Sequence, residues 1–165
     1  MDIIRRCDAS DLPAILAIIN AAAEAYRGVI PAQQWHEPYM SLEQLCSEIG
    51  AGVCFWGYES ELDLVAVMGL QAVGELDLIR HAYVHPQSQR TGIGAKLMSH
   101  IRRQARGPML VGTWAAAHWA IHFYERLGFR LVSPDRTPAL LRSYWSITPG
   151  QIAASVVLAN PPLEE

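Results

Sequence analysis

Charge is scarce in this chain. Asp, Glu, Lys and Arg make up 18% of its 165 residues, against about 25% in an ordinary soluble domain, while 51% of the residues are hydrophobic and five are tryptophan. So little charge leaves apolar surface to cover, which points to a homodimer. The net charge is −3, and the basic residues are scattered apart from Arg102, Arg103 and Arg106. These three suit the C-terminal end of a helix, where positive charge complements the dipole. That balance speaks against nucleic acid as a partner. Cysteine is as sparse. Cys7, Cys46 and Cys54 are odd in number and lack metal-ligand spacing, so they read as reduced thiols of a cytoplasmic protein, with no metal implied. Cys46 and Cys54 have no histidine beside them in a motif and are expected to be buried and inert. Linkers and repeats are missing too, and residues 1–165 read as a single domain with room for one sizeable core.

A membrane segment is also lacking. Arg5-Arg6, the apolar run 12–19 and the triplet Ala21-Ala22-Ala23 imitate a secretion signal, but Asp2, Asp8 and Asp11 argue against it. The run, at about twelve residues, is too short for a bilayer, which takes roughly 20. Leu12, Ile15, Leu16, Ile19, Ala22, Ala23 and Tyr26 instead share one helical stripe behind Ser10 as N-cap, the pattern of a folded amphipathic helix.

The remaining pattern alternates strand and helix. Residues 3–7 read as a strand, 11–26 as a helix, and 42–49 as a short helix begun by the capping box Ser41-x-x-Gln44. Strands are expected at 53–58 and 64–73, with a turn over 59–63 between them, and at 76–84. A helix at 92–106 stopped by Gly107-Pro108, a strand at 109–114 and a helix at 117–127 closed by Gly128 follow. The last strands are expected at 129–132 and 152–158, with a short helix at 138–145 between them. This order is α/β, a three-layer α/β/α arrangement around a mixed sheet. Within 76–84, Leu76, Leu78, Ala82 and Val84 keep one parity, but Ile79 and Arg80 break it. A β-bulge is the simplest cause.

The most informative stretch is Gln89-Arg90-Thr91-Gly92-Ile93-Gly94, between the strand 76–84 and a segment in which Ile93, Leu97 and Ile101 recur every four residues. A strand that passes through a glycine-bearing turn into a helix start aims several N–H groups at one spot, and the dipole favours phosphate there. The third glycine of a dinucleotide fingerprint is missing, and Gly94-Ala95-Lys96-Leu97 lacks the Ser or Thr of a nucleotide P-loop. Those two nucleotide readings fall.

Two neighbouring stretches complete a pattern: Tyr83-Val84-His85-Pro86 before the turn, and Ala120-Ile121-His122-Phe123-Tyr124-Glu125-Arg126-Leu127-Gly128-Phe129 after it. The turn resembles the Gln/Arg-x-x-Gly-x-Gly/Ala signature of the GNAT superfamily of N-acetyltransferases. The residues before it resemble that family's strand-end Tyr-Val-x-Pro, and the later stretch its Ala-x-x-Phe-Tyr-x-x-x-Gly-Phe signature. The resemblance spans nearly the whole chain. It implies a mixed, mostly antiparallel sheet of six or seven strands flanked by helices, with a splay between 76–84 and 109–114. It also implies acetyl-CoA as acyl donor and a primary amine, on a small molecule or a protein, as acceptor. Under it, the backbone of Ala82, Tyr83 and Val84 pairs with the pantetheine arm, while Gln89, Arg90, Thr91, Gly92, Ile93, Gly94 and Ala95 cradle the pyrophosphate.

Magnitudes then rank the chemistry. Neutralising a primary amine of pKa about 10.4 at pH 7 costs roughly 4 to 5 kcal/mol, whereas a thiol near 8.5 needs only about 2 kcal/mol of help to leave. The base therefore matters more than the acid. Tyr124 falls where the family holds its proton donor to the CoA sulfur, but a phenol is a poorer acid than the thiol, so it reads as a hydrogen-bond donor to the departing thiolate. Its position on the stripe Ala117, Ala120, Ile121 is also that of an ordinary core residue. Glu75, Asp77 and His81 are all candidates for the base, and of these residue types histidine is the one that in reference peptides titrates nearest neutrality, which favours His81. A backbone N–H near Val84 would polarise the acyl carbonyl, giving direct attack without an acyl-enzyme. The aromatic stretch holding Tyr26, Trp35 and His36 falls where such enzymes build the acceptor pocket, which suggests an apolar or aromatic amine. Ala117 departs from the family, which often carries Asn there against the pantetheine arm; His118 and Trp114 stand nearby.

Two rivals follow from the same residues. Phe123-Tyr124-x-x-Leu127-Gly128-Phe129, with His118 and His122 four apart, also resembles vicinal oxygen chelate metalloenzymes. That reading needs a carboxylate ligand and a second copy of the segment, and Trp119 stands where a zincin holds its glutamate. The other rival is a non-catalytic acyl-CoA sensor on the same fold, favoured if Ala117 and an undefined base mean lost turnover.

Overall fold

The computed structural model describes residues 1–164. In chain order they form β1 (Asp2–Arg6), α1 (Leu12–Ala23), α2 (Leu42–Gly50), β2 (Cys54–Ser60), β3 (Asp63–Val73), β4 (Leu76–Val84) and α3 (Ile93–Gln104). β5 (Met109–Trp114), α4 (His118–Arg126), β6 (Arg130–Leu131), α5 (Thr137–Tyr144), α6 (Pro149–Ala153) and β7 (Ser155–Asn160) follow. The strands make a seven-stranded sheet in the order β1-β2-β3-β4-β5-β7-β6. Its pairs β1/β2, β2/β3, β5/β7 and β6/β7 are antiparallel. The fold is thus α/β, with a mostly antiparallel open sheet and helices. No helix among the described residues is long and apolar enough to cross a membrane. The chain packs as two compact units, each assembled from separate stretches.

The first unit comprises Met1–Ala25, His36–Ala72 and Ile79–Ala105. Ile15, Ile18 and Ile19 of α1 pack with Met40, Leu45 of α2, Val53, Phe55 of β2 and Val67 of β3 into its core. Burying a side chain of this size contributes roughly 1.5–3 kcal/mol. Ile18 thereby joins the stripe expected on α1, and Leu16 lies at its border. The helix start differs from the Ser10 cap the sequence suggests. Asp8 accepts from Ser10 N–H at 2.8 Å and Asp11 accepts from Asp8 N–H at 2.8 Å, closing a 3₁₀ turn, Ala9–Asp11, ahead of α1. A carboxylate is a stronger acceptor than a hydroxyl, and here Asp11 is also gripped by Arg5 through two nitrogens at 2.8 and 2.9 Å. α2 begins as its sequence indicates, with Ser41 Oγ accepting from Gln44 N–H at 3.1 Å. The β2–β3 hairpin turns on Glu61 and Leu62 alone, at φ 51° and 74°, a left-handed pair that matches strand twist. Among the cysteines, Cys46 is exposed, which corrects the expectation of a buried thiol: it lies on the solvent side of α2. Cys7 and Cys54 are half-buried, and burial pushes the Cys7 thiol up to about 12.

The second unit comprises Tyr26–Trp35, Val73–Leu78 and Arg106–Glu165. Leu78, Leu110 of β5, Leu141 of α5, and Val157 and Ala159 of β7 form its core. β5 pairs with β7 along its full length, from Met109 opposite Asn160 to Trp114 opposite Ser155. β7 begins later than the expected residue 152. Thr148 and Gln151 form a reciprocal capping box with Pro149 in the first turn, so Ile152 belongs to the short helix α6.

Candidate active site

The exit of β4 is fastened within the first unit. His85 N–H donates to Val65 O at 2.8 Å, Ser88 N–H to His85 O at 2.8 Å, and Gln89 Nε2 reaches back to Val84 O at 3.1 Å. Thr91 Oγ1 donates to Ser88 O at 2.7 Å. Arg90 and Gly92 then take left-handed φ values of 63° and 81°, which turn the chain into α3. An α-helix leaves its first N–H groups without an internal acceptor. Lys96 N–H, on Gly92 O at 3.1 Å, is the first amide of α3 to find one. Among the described residues no protein group accepts from the amides of Ile93, Gly94 or Ala95. A Cβ added at Gly92 would meet nothing within 4 Å, so the approach to these amides is open at the turn. Three unclaimed donors at a positive dipole end suit a phosphate oxygen.

His81 lies one residue before the Ala82 to Val84 backbone, and its own backbone is left-handed, at φ 54° in a strand. The parity break read from the sequence corresponds to this distortion: Asp77, Leu78 and Ile79 are buried in succession, where a regular strand would alternate. Both oxygens of Glu48, on α2, stand 2.9 Å from His81 Nε2, and Arg80 donates to the same Oε1 at 2.8 Å. All three side chains are largely shielded. Burial pushes the Glu48 carboxyl up, but the hydrogen bond and charge of His81, followed by those of Arg80, outweigh it and hold the group at about 2. The rings of Phe55 and Tyr83 lie nearly parallel to the imidazole, at ring-centroid distances of 6.2 and 6.5 Å. Glu48 escaped the sequence reading. A glutamate on the polar side of an amphipathic helix looks like a solvated residue, and its partners lie 32 and 33 positions away.

Asp77 does a different job from the one its sequence position suggests. It is buried in the second unit, and its Oδ2 accepts from Arg106 N–H at 2.9 Å and Gly107 N–H at 2.8 Å. It fastens the loop that follows α3, so the geometry removes it from the candidate bases. Tyr124, on α4 in the same unit, is buried with Phe123 and Phe129 edge-on to its ring. Burial, and after it the charge of Tyr26, raises its phenol above the ordinary tyrosine value. The group therefore stays protonated and can donate. Tyr26 is buried and stacks on the half-exposed ring of Trp119 at 5.9 Å, while Arg27 lies 4.6 Å over the ring of Trp35. His36 belongs to the first unit and is exposed. Tyr26, Trp35, Asp77 and Tyr124 thus fall in the second unit, and His36, His81 and the 82–95 backbone in the first.

Residues 51–131 match the sequence model of the acetyltransferase (GNAT) domain. That stretch is a GNAT acetyltransferase domain. Its fold superposes on that of the PaiA N-acetyltransferase from Thermoplasma acidophilum in complex with coenzyme A, with a TM-score of 0.72 over 96% of this chain and 98% of that one at 17% identity. The ribosomal-protein-S18-alanine N-acetyltransferase from Escherichia coli gives a TM-score of 0.66 over 96% and 92% at 20% identity. N-acetylglutamate synthase from Neisseria gonorrhoeae, complexed with coenzyme A and N-acetyl-glutamate, gives 0.65 at 25% identity, with 96% of this chain covering 34% of that longer one. No curated protein matches the sequence.

The GNAT domain departs from the common pattern at Ala117, which is wholly buried at the start of α4 and offers no side-chain cap to the helix. The turn Gln89-Arg90-Thr91-Gly92-Ile93-Gly94 keeps the family pattern of residues.

Proposed function

We propose that this GNAT protein transfers the acetyl group of acetyl-CoA to a primary amine by direct attack, without an acyl-enzyme. One observation carries the reading: three backbone donors at the open start of α3, those of Ile93, Gly94 and Ala95, have no protein acceptor among the described residues. Each would contribute roughly 1.5–3 kcal/mol to a phosphate oxygen. Gln89, Arg90, Thr91 and Gly92 shape that turn, and Ala82, Tyr83 and Val84 offer backbone to the pantetheine arm. Val84 O already accepts from Gln89 and retains its second lone pair.

Acetyl-CoA supplies an acetyl carbon already activated as a thioester, with a sulfur that leaves readily. The remaining work falls to the chain. His81 receives the proton that the attacking nitrogen loses as its bond to the acetyl carbon forms, directly or through one water; the amine enters neutral, a form that costs roughly 4 to 5 kcal/mol to reach at pH 7. The Val84 N–H donates to the acyl oxygen as charge develops there. Tyr124, kept protonated, donates a hydrogen bond to the departing sulfur. Tyr26, Trp35 and His36 belong to the acceptor side, which suits an apolar or aromatic amine on a small molecule or a protein. Low charge content favours a homodimer, and three cysteines without metal or disulfide spacing suit the cytoplasm. Thiol release from acetyl-CoA over a panel of aliphatic, aromatic and peptide amines, with products weighed by mass spectrometry, tests the reading. Tight coenzyme A binding with no release for any amine overturns it and leaves the acyl-CoA sensor that Ala117 would favour.

A further inference from the structure

We infer that Glu48 is a positioning residue for His81: its carboxylate holds the imidazole Nε2–H, so that Nδ1 is the atom presented to the incoming amine. The inference rests on the acetyl-transfer reading above and deepens it. Both Glu48 oxygens face Nε2 at 2.9 Å, and an ionised carboxylate accepts only. The proton of the neutral ring therefore sits on Nε2, and Nδ1 carries the lone pair. Among the described residues Nδ1 has no hydrogen-bond partner, and it is not sealed from solvent.

Three further features surround the pair. Arg80, beside His81 on β4, anchors Glu48 Oε1 at 2.8 Å. The rings of Phe55 and Tyr83 lie within 19° and 21° of the imidazole plane. His81 takes a left-handed φ of 54° within the strand, a conformation that a residue with a Cβ adopts only at a cost. The charged groups facing the ring are Glu48 from α2 and Arg80 from its own strand. Tyr83 adds a phenol, and Phe55 from β2 adds no charge.

During transfer the amine nitrogen bonds to the acetyl carbon while the carbon–sulfur bond breaks. One nitrogen proton passes to Nδ1, and the sulfur departs with the bonding electrons. The resulting imidazolium keeps Nε2–H on the Glu48 carboxylate until Nδ1 returns its proton to solvent.

The experiment has two arms on the full-length protein. Long-range ¹H–¹⁵N correlation of the imidazoles, assigned with His81→Ala, reads the tautomer without any substrate. Wild type is expected to show Nε2–H above neutral pH. A neutral ring protonated on Nδ1 overturns the inference. In the second arm, kcat against pH is compared for wild type, Glu48→Gln, Glu48→Asp and the double variant with His81→Ala. Loss of the carboxylate in Glu48→Gln is expected to move the acid limb to lower pH by about one unit and to lower the plateau about tenfold or more, with KM for acetyl-CoA unchanged. Glu48→Asp should recover part of both, and Glu48→Gln should add nothing once His81 is alanine. Superimposable profiles for wild type and Glu48→Gln overturn the inference while acetyl transfer stands. No turnover by wild type with any amine overturns the parent reading, and the inference falls with it.

Discussion

Replacing Asp77 separates structure from chemistry on β4. Its carboxylate is 5% exposed and carries two amides on one oxygen, from Arg106 at 2.9 Å and Gly107 at 2.8 Å. Asp77 N–H also donates to Pro108 O at 2.9 Å. The loop has no easy alternative path, because even a Cβ at Gly107 would lie 2.2 Å from Glu75 O. Asp77→Ala leaves both donors without their acceptor. An orphaned donor costs about 1–3 kcal/mol when buried, and water can reach the exposed Arg106, so a total of about 2–3 kcal/mol is expected. Asp77→Asn keeps an acceptor oxygen but loses the charge, which costs about 1 kcal/mol. With a urea m-value of about 2 kcal/mol/M, the midpoint falls by about 1–1.5 M for alanine and about 0.5 M for asparagine. Tryptophan fluorescence follows the unfolding, and thiol release at low urea gives turnover per folded molecule. That turnover should match wild type in Asp77→Asn. An asparagine variant with the wild-type midpoint and no turnover would refute this reasoning and restore Asp77 as the base.

Other substitutions test the remaining parts. Gly92→Glu places a negative charge at the turn proposed to take the pyrophosphate. Like charges about 5 Å apart at an effective dielectric of 20 repel by about 3 kcal/mol, so calorimetry should show coenzyme A affinity reduced at least about 100-fold, and unchanged affinity would sink the cradle. Tyr124→Phe should lower kcat about tenfold with little change in KM for acetyl-CoA; equal rates would leave Tyr124 as packing only. His100 stands 4.7 Å from Trp56 with its Nε2 unpartnered. Burial first, and then the charge of Arg103, lowers its pKa. The folded state therefore resists protonation that the unfolded chain accepts below about pH 6.5. Stability is fully present above that value and declines as pH falls toward the folded pKa, so the urea midpoint should drop between pH 7.5 and 5.5. His100→Phe should flatten that drop, and an identical decline in both proteins would rule out His100 as its source.

What the sequence could reveal followed from how local each signal is. β5 lies at Met109–Trp114 as expected, because an apolar run between Pro108 and a small-residue turn leaves little choice of period. Ser41 and Gln44 announced α2 because the capping contact spans three residues. The start of β7 was obscured because Ile152 and Ala153 merge with the apolar run of the strand, although the Thr148, Pro149 and Gln151 spacing carried the helix signal. The Asp8 cap was masked by Ser10, an equally good cap type two residues later. Parity at Ile79 and Arg80 exposed the distortion of β4, but not which residue would absorb it. Glu48 and the carboxylate role of Asp77 were illegible, since each partner lies about thirty residues away and only tertiary packing joins them.

The left-handed backbone at position 81 has a consequence for how variants would sort. Glycine and asparagine occupy that conformation more easily than histidine does. A saturation library screened for soluble yield would therefore lift small or amide residues at 81, while the same library screened for acetylated product would return the imidazole. The two orderings should disagree at this site more sharply than at its neighbours Ala82 and Tyr83, whose φ values are ordinary for a strand.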